Sequence, residues 1–365
     1  DPIQPASVEW HGATPVATHF ADGYFSREDG RSESLAVFIG GNHLARRFSE
    51  LVPGELFVIG ETGFGTGLNM LLAAELFAQT APRRARLSLL SAERHPLPPD
   101  DLGRALRAWP SLAPLANRLL ERYPALTPGF HRLRLGDNID LTVMFGDARQ
   151  MWENQPARAD AWFLDGFSPD RNPALWRPEL FALLAARSRP GATLATYTAA
   201  GHVRRGLAEA GFDVQRMPGF GRKRHRLEGH LPGCWRPGRY RTGEALVVGA
   251  GLAGATTARA LAERGWRVRV ADPAGIAAGA SGNRAGVVYT TPSGVATPQN
   301  RFYQASYLHA GGWFRRHQAE RADIGRFNGV VQHVTQASQR DKLLKAGASG
   351  HWPEAQMRFI EDDAV

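Results

Sequence analysis

A chain of 365 residues exceeds one small domain and suits two, and its 43% hydrophobic and 22% charged content excludes a disordered or fibrous protein. No apolar run reaches the roughly 18 residues that a membrane-spanning helix needs, and a lone cysteine, Cys234, rules out an internal disulfide framework. The formal net charge of +9 favours a polyanionic partner.

Only Lys223, Lys342 and Lys345 are lysines among the 44 basic residues. Genome composition alone can produce such an arginine skew, so the location of the charge is more telling than its total. Between residues 201 and 241, ten Lys and Arg face only Glu209, Asp213 and Glu228, which concentrates the excess in one patch. His230 and Cys234 are close in sequence, but two side chains fall short of the about four that a structural zinc site needs, so no metal is expected. The chain opens at Asp1, with no basic-then-apolar leader. That start and the single thiol predict a trimmed N-terminus and a cytoplasmic protein.

In chain order, short β-rich runs alternate with helical patterns, the signature of an α/β protein with a parallel sheet. Residues 56–59 read as a buried strand that ends at Gly60. The turn Gly60-Glu61-Thr62-Gly63-Phe64-Gly65-Thr66-Gly67 follows, and then Leu68, Leu71, Leu72 and Leu76 recur at helical spacing to residue 79. Further strands are expected at 87–91, 141–145, 161–164 and 192–197, with a helical insertion over 96–134.

Gly63, Gly65 and Gly67 allow a tight turn and close backbone approach to a ligand, as in many nucleotide-binding folds. Three acids close the later strands. Glu93 is placed to accept ribose hydroxyls, Asp147 to meet an adenine amino group, and Asp165 to face the crevice. No Lys follows the glycines, so the loop is not a phosphate-binding P-loop. A carboxylate set suits S-adenosylmethionine, which carries a sulfonium and an ammonium, better than a triphosphate. Trp176, in the loop after Asp165, is either a base-stacking platform or a packing residue, and packing is the commoner fate.

A second unit is expected after the Pro- and Gly-rich stretch 230–238, giving domains at 1–238 and 239–365. Residues 245–248 read as a strand, Gly249-Ala250-Gly251-Leu252-Ala253-Gly254 as the turn, and 255–264 as a helix. Residues 267–271 return to Asp272, about twenty residues on, where a dinucleotide's ribose is held.

Several stretches together make a specific resemblance. They are Glu61-Thr62-Gly63-Phe64-Gly65-Thr66-Gly67-Leu68-Asn69, Trp162-Phe163-Leu164-Asp165-Gly166-Phe167-Ser168-Pro169, Asn172-Pro173 and Gly219-Phe220-Gly221-Arg222-Lys223-Arg224. The sequence resembles the bifunctional tRNA 5-methylaminomethyl-2-thiouridine biosynthesis proteins, the MnmC family. The resemblance implies a Rossmann-like class I methyltransferase domain followed by the start of a second, FAD-binding Rossmann-type domain. It implies action on the wobble uridine of tRNA. The flavin part would remove a carboxymethyl group by oxidation, and the first domain would N-methylate the resulting amine.

Carried onto this sequence, Glu61, Gly63, Phe64, Gly65, Thr66, Gly67, Asn69, Glu93 and Asp147 would hold S-adenosylmethionine, with Asp165 as the catalytic residue beside the amine. Phe220, Arg222, Lys223, Arg224 and Arg226 would contact RNA. Gly279-Ala280-Ser281-Gly282-Asn283-Arg284-Ala285-Gly286 resembles the second glycine-rich contact of glycine-oxidase-type flavin enzymes. Gly249, Gly251, Gly254, Asp272, Ser281, Gly282 and Asn283 would therefore hold FAD, in a flavin domain expected to be incomplete because only about 120 residues follow the second turn's strand. Two alternatives stay open: a methyltransferase and amine oxidase for a free small amine, and a non-catalytic RNA-binding protein on a methyltransferase fold.

Overall fold

The computed structural model describes residues 2–26, 29–221, 223–318, 321 and 324–360. Strands β1 (Val8–His11), β2 (Thr14–Ala17) and β3 (Asp22–Gly23) form an antiparallel meander. Helix α1 (Gly30–Ser34) runs through a π-helical turn, Leu35–Gly40, toward α2 (Leu44–Ser49). Then come β4 (Glu55–Glu61), α3 (Leu68–Thr80), β5 (Arg86–Glu93), α4 (Pro99–Leu106), α5 (Ala113–Arg122), β6 (Gly129–Gly136) and β7 (Ile139–Phe145). The series continues with α6 (Ala148–Glu153), β8 (Ala159–Phe163), α7 (Pro178–Ala186), β9 (Ser188–Thr196), α8 (Gly201–Glu209), β10 (Asp213–Pro218), β11 (His225–His230) and β12 (Gly238–Arg239).

Among the described residues the main sheet runs β10-β11-β9-β8-β4-β5-β7-β6, with β12 paired to β4. The five strands from β9 to β7 are parallel, and β11 and β6 flank them antiparallel. Strand order reverses at β4, the first parallel strand in sequence, so the crevice beyond its carboxyl end is where such sheets bind ligands.

Two apolar layers close the sheet. Phe48, Phe57, Phe77 and Leu89 belong to one, and Trp152, Trp162, Phe181 and Leu194 to the other. Helix α3 buries every residue from Leu68 to Ala74, which explains its weakly one-sided pattern: a helix apolar all round is a core helix. Gly60 is required by packing, because a Cβ there would stand 2.3 Å from the Trp162 ring.

The expected insertion over 96–134 is helical in α4, a 3-10 turn at Pro110–Leu112 and α5; its end is β6. Leu133 and Leu135 are buried while Arg132 and Arg134 point outward, a period-two pattern that pairs with β7 across a turn at Asp137 and Asn138. The short stretch after β11 is tied down as well. Trp235 donates its indole N–H to buried Asp160 (2.9 Å) and lies under the Arg47 guanidinium (4.3 Å), and β12 pairs with Leu56 and Glu55.

The rest of the chain carries β13 (Glu244–Val248), α9 (Leu252–Ala262), β14 (Arg267–Ala271), α10 (Pro298–Gln318) and α11 (Ala337–Ala348). Strands β13 and β14 form a two-stranded parallel sheet. Helix α9 buries no residue, and Leu246, Val248 and Leu252 are 66%, 79% and 60% exposed. Among the described residues no helix is long and apolar enough to cross a membrane, and no cluster of three His, Cys, Asp or Glu is placed to hold a metal.

Candidate active site

A cleft of about 1330 Å³ opens at the carboxyl ends of β4, β5, β7 and β8. Its floor is the glycine turn between β4 and α3. A Cβ on Gly63 would approach the Asp165 carbonyl to 2.9 Å, so only glycine lets the two loops meet. Gly65 sits at φ +53° and donates its N–H to Glu93 Oε2 (2.8 Å). Gly67, at φ +74°, is the N-cap of α3.

The expected donor-binding residues divide. Gly63, Phe64, Gly65, Thr66, Asn69, Glu93 and Asp147 line the cleft. Glu61 and Gly67 lie beneath the cleft without lining it. Glu61 is wholly buried beneath the turn, its carboxylate accepting from Asn69 Nδ2 (3.0 Å) and Ser91 Oγ (2.6 Å). Gly67 is closed off by the Phe64 ring, 2.7 Å from where its Cβ would lie. Both build the turn.

Asn69 joins the buried carboxylate to the open one. The same amide nitrogen donates to Glu61 Oε1 and, at 2.7 Å, to Asp165 Oδ2. Asp165 Oδ1 accepts the Gly166 N–H (2.8 Å), and the Asp165 carbonyl accepts Thr62 Oγ1 (2.7 Å). Burial pushes the Asp165 carboxyl up to about 6, against the pull of Gly166 and Asn69. Burial and the nearby Asp165 hold Glu61 well above the usual carboxylate range. Burial also raises Glu93, opposed by the N–H groups of Gly65 and His95. Asp147 caps α6 by accepting the Gln150 N–H (3.2 Å), with Arg94 loosely paired at 3.7 Å.

The sequence pattern did not point to the roof. Phe20, from the β2–β3 turn, stacks on Phe167 (4.6 Å between centroids), and Tyr24 meets Phe167 edge-on at 5.1 Å. Asp22 accepts the Ser168 N–H (3.0 Å), which ties this meander to the loop after β8. Phe20 and Tyr24 lie in the turns beside strands of two to four residues, too short for a period to register. Trp176 is a packing residue, 4% exposed, with its indole N–H on the Phe167 carbonyl.

The basic segment is the turn of the β10–β11 hairpin. Phe220 and Lys223 line the cleft, and Arg224 is exposed. Arg222 lies outside the described residues. Arg226 is turned inward, unlike Arg224. It pairs with Glu228 (2.6 Å), donates to the Ala36 carbonyl, and is 16% exposed. On a strand flanked by the π-helical turn, a cation is drawn inward by a carbonyl and a carboxylate.

The second glycine turn is built locally. A Cβ on Gly254 would stand 1.8 Å from the Gly249 carbonyl oxygen, so helix and strand touch there. Gly249 is at φ +102°. Asp272 accepts the N–H groups of Ala250 (2.8 Å) and Ala274 (2.9 Å), which hold its carboxyl below the usual range. Ser281 Oγ accepts the Leu252 N–H (3.0 Å) and packs on Gly251, so the two glycine-rich loops meet at the start of α9. Gly282 and Asn283 continue that turn, donating their N–H groups to Gly279 and Ala280.

This sheet order, with a glycine turn after its first parallel strand and acids at the next strand ends, defines a class I methyltransferase domain, followed by the opening βαβ unit of a second Rossmann-type domain. Residues 110–232 match the family described as S-adenosyl-L-methionine-dependent methyltransferase, and 244–365 match FAD dependent oxidoreductase. The chain is 50% identical over 323 residues to the tRNA 5-methylaminomethyl-2-thiouridine biosynthesis bifunctional protein MnmC of Stutzerimonas stutzeri, covering 85% of this chain and 49% of that protein. With the MnmC of Chromobacterium violaceum it is 44% identical, over 99% of this chain and 56% of that protein. The solved structure of MnmC2 from Aquifex aeolicus has the same fold over 64% of this chain and 73% of that one, with TM-score 0.50 and 24% identity. The chain belongs to the MnmC family and spans about half the length of the curated relatives it matches.

Proposed function

We propose that the cleft performs S-adenosylmethionine-dependent N-methylation of a 5-aminomethyl-2-thiouridine at the wobble position of tRNA, yielding 5-methylaminomethyl-2-thiouridine. The observation that carries this reading is Asp165, a carboxylate held by Asn69 and the Gly166 N–H where the glycine turn meets the acceptor side. The residues fit the methyl donor: carboxylates at Glu93 and Asp147 suit its ribose and adenine, and the glycine turn lines the same cleft. When bound, the donor supplies an electrophilic methyl group on a sulfonium. Asp165 orients the acceptor amine and takes the proton that the ammonium must lose before its nitrogen has a lone pair to attack. A carboxylate near neutrality is matched to that task, since its raised pKa makes it a stronger base. Phe220 would support the flipped base, while Arg224 and Arg222 meet the backbone.

The same reading assigns the second unit to FAD-dependent removal of the carboxymethyl group from 5-carboxymethylaminomethyl-2-thiouridine. Gly249, Gly251, Gly254, Asp272, Ser281, Gly282 and Asn283 would hold the adenosine diphosphate half of FAD, whose flavin carries the two-electron oxidising capacity. The division at 1–238 and 239–365 and a cytoplasmic location belong to this proposal, the latter supported by the exposed free thiol of Cys234.

The test is transfer of label from S-adenosylmethionine to tRNA carrying 5-aminomethyl-2-thiouridine, with the free nucleoside as control. Label in tRNA alone is expected. Label in both points to a small-amine methyltransferase, and label in neither removes the methyltransferase reading.

A further inference from the structure

Glu33 and Lys223 both line the cleft, yet neither belongs to the glycine turn or to the strand-end acids. Glu33 stands on α1, which is fixed through its first turn. Asp29 caps it through the Ser32 N–H (2.9 Å), and Arg31 pairs with Glu75 of α3 (3.3 Å). Lys223 stands on the β10–β11 turn with its ammonium 4.2 Å from the centre of the Tyr197 ring. Tyr197 is locked in turn, its hydroxyl donating to the Gly166 carbonyl beside Asp165 (2.8 Å). The Lys223 ammonium donates to Glu33 Oε1 at 2.8 Å.

With its lysine half exposed and its carboxylate partly covered, a surface-edge ion pair of this kind contributes little to stability. In a cleft it has another property. Lys223 has N–H donors beyond the one it gives Glu33, and Glu33 Oε2 has no hydrogen-bond partner among the described residues. The pair therefore presents a donor and an acceptor side by side, as a side-chain amide does. The matching edge has an N–H next to a carbonyl or thiocarbonyl, which is the Watson–Crick edge of a uracil-type ring. Cytosine presents an unprotonated ring nitrogen there, which would face the Glu33 carboxylate lone pairs. Enzymes that act on extruded bases read this edge by hydrogen bonds.

The geometry points to Glu33 and Lys223 as the reader of the acceptor base, accepting uracil N3–H at Glu33 and donating from Lys223 to the neighbouring oxygen or sulfur. The inference rests on the cleft being a methyltransferase site for an aminomethyl pyrimidine in RNA. It adds that the protein selects the ring and not only the amine.

The experiment measures kcat/KM for methyl transfer into two anticodon stem-loops that differ only in carrying 5-aminomethyluridine or 5-aminomethylcytidine at the target position. The full chain should prefer uridine by about 100-fold, since a site built for a ring N–H leaves its own groups unpaired with cytosine. Glu33→Ala should reduce that preference at least about tenfold, mostly through loss of the uridine substrate. Thermal melting checks that the variant is folded. A folded Glu33→Ala that slows both substrates equally would overturn the inference and leave a purely structural latch. If that variant does not fold, Lys223→Ala on the exposed turn decides alone, by the same ratio. Failure of the unmodified chain to methylate either RNA brings down the reading of the cleft itself, a result separable from any behaviour of the variants.

Discussion

Both glycine turns of this chain sit between a parallel strand and a helix, yet they are supported in opposite ways. The first lies over a buried carboxylate, with Glu93, Asp147 and Asp165 brought to it from three other strands. The second is held within its own unit, by Asp272, Ser281, Ala271 and Ala277, and its helix buries no residue. A fingerprint of glycines specifies a backbone path, whereas a site for chemistry needs side chains carried in from far along the chain.

The sharpest way to break this contrast is to remove the long-range carboxylate. Asp165→Asn keeps the shape of the loop and should lower single-turnover methyl transfer by roughly 10²–10⁴-fold, while calorimetry finds donor affinity near that of the unmodified protein. A rate that survives within a few-fold would mean that another group takes the proton. The pH profile gives the next largest effect. Because burial raises Asp165 to about 6, the proton-accepting carboxylate is lost as pH falls through that value. Transfer should then drop about tenfold per pH unit below 6, and the residual activity of Asp165→Asn should lack that limb.

The second turn is probed by Gly254→Ala, whose new methyl would collide with the Gly249 carbonyl. Hydrogen exchange along α9 should quicken by about ten- to a hundredfold, with methyl transfer unchanged because the two turns share no partner. Smallest is the effect on RNA affinity within the basic hairpin. Arg224→Ala should reduce the salt dependence of tRNA binding by about one unit of slope. Arg226→Ala should leave that slope alone and instead lower the melting temperature, because it frees Glu228 and the Ala36 carbonyl.

Much of the parallel sheet was legible because its strands are continuous apolar runs between glycine or acidic endings. Residues 56–59, 87–91, 141–145 and 161–164 all fall inside or against observed strands. The strand-end acids were legible for the same reason, since a parallel strand delivers whatever follows it to the crevice. The roof was not. Phe20, Tyr24 and Glu33 come from brief elements whose place depends on partners more than a hundred residues away, such as Phe167 and Lys223. The surroundings of Glu61 and Arg226 were not legible either, since burial turns each toward the protein's own backbone and side chains.

The pairing of β12 with the start of β4 also has a mechanical meaning. The tether to the following unit leaves from the heel of the sheet, with Trp235 wedged against Asp160 and Arg47, whereas the cleft opens at the toe. The seven residues of β4 separate the two, a stiff strut of roughly 20 Å. A second attachment lies at the sheet's edge, where Arg134 of β6 pairs with Glu263 at the end of α9 (2.8 Å), so the trailing unit is held on the side away from the cleft's mouth at two points.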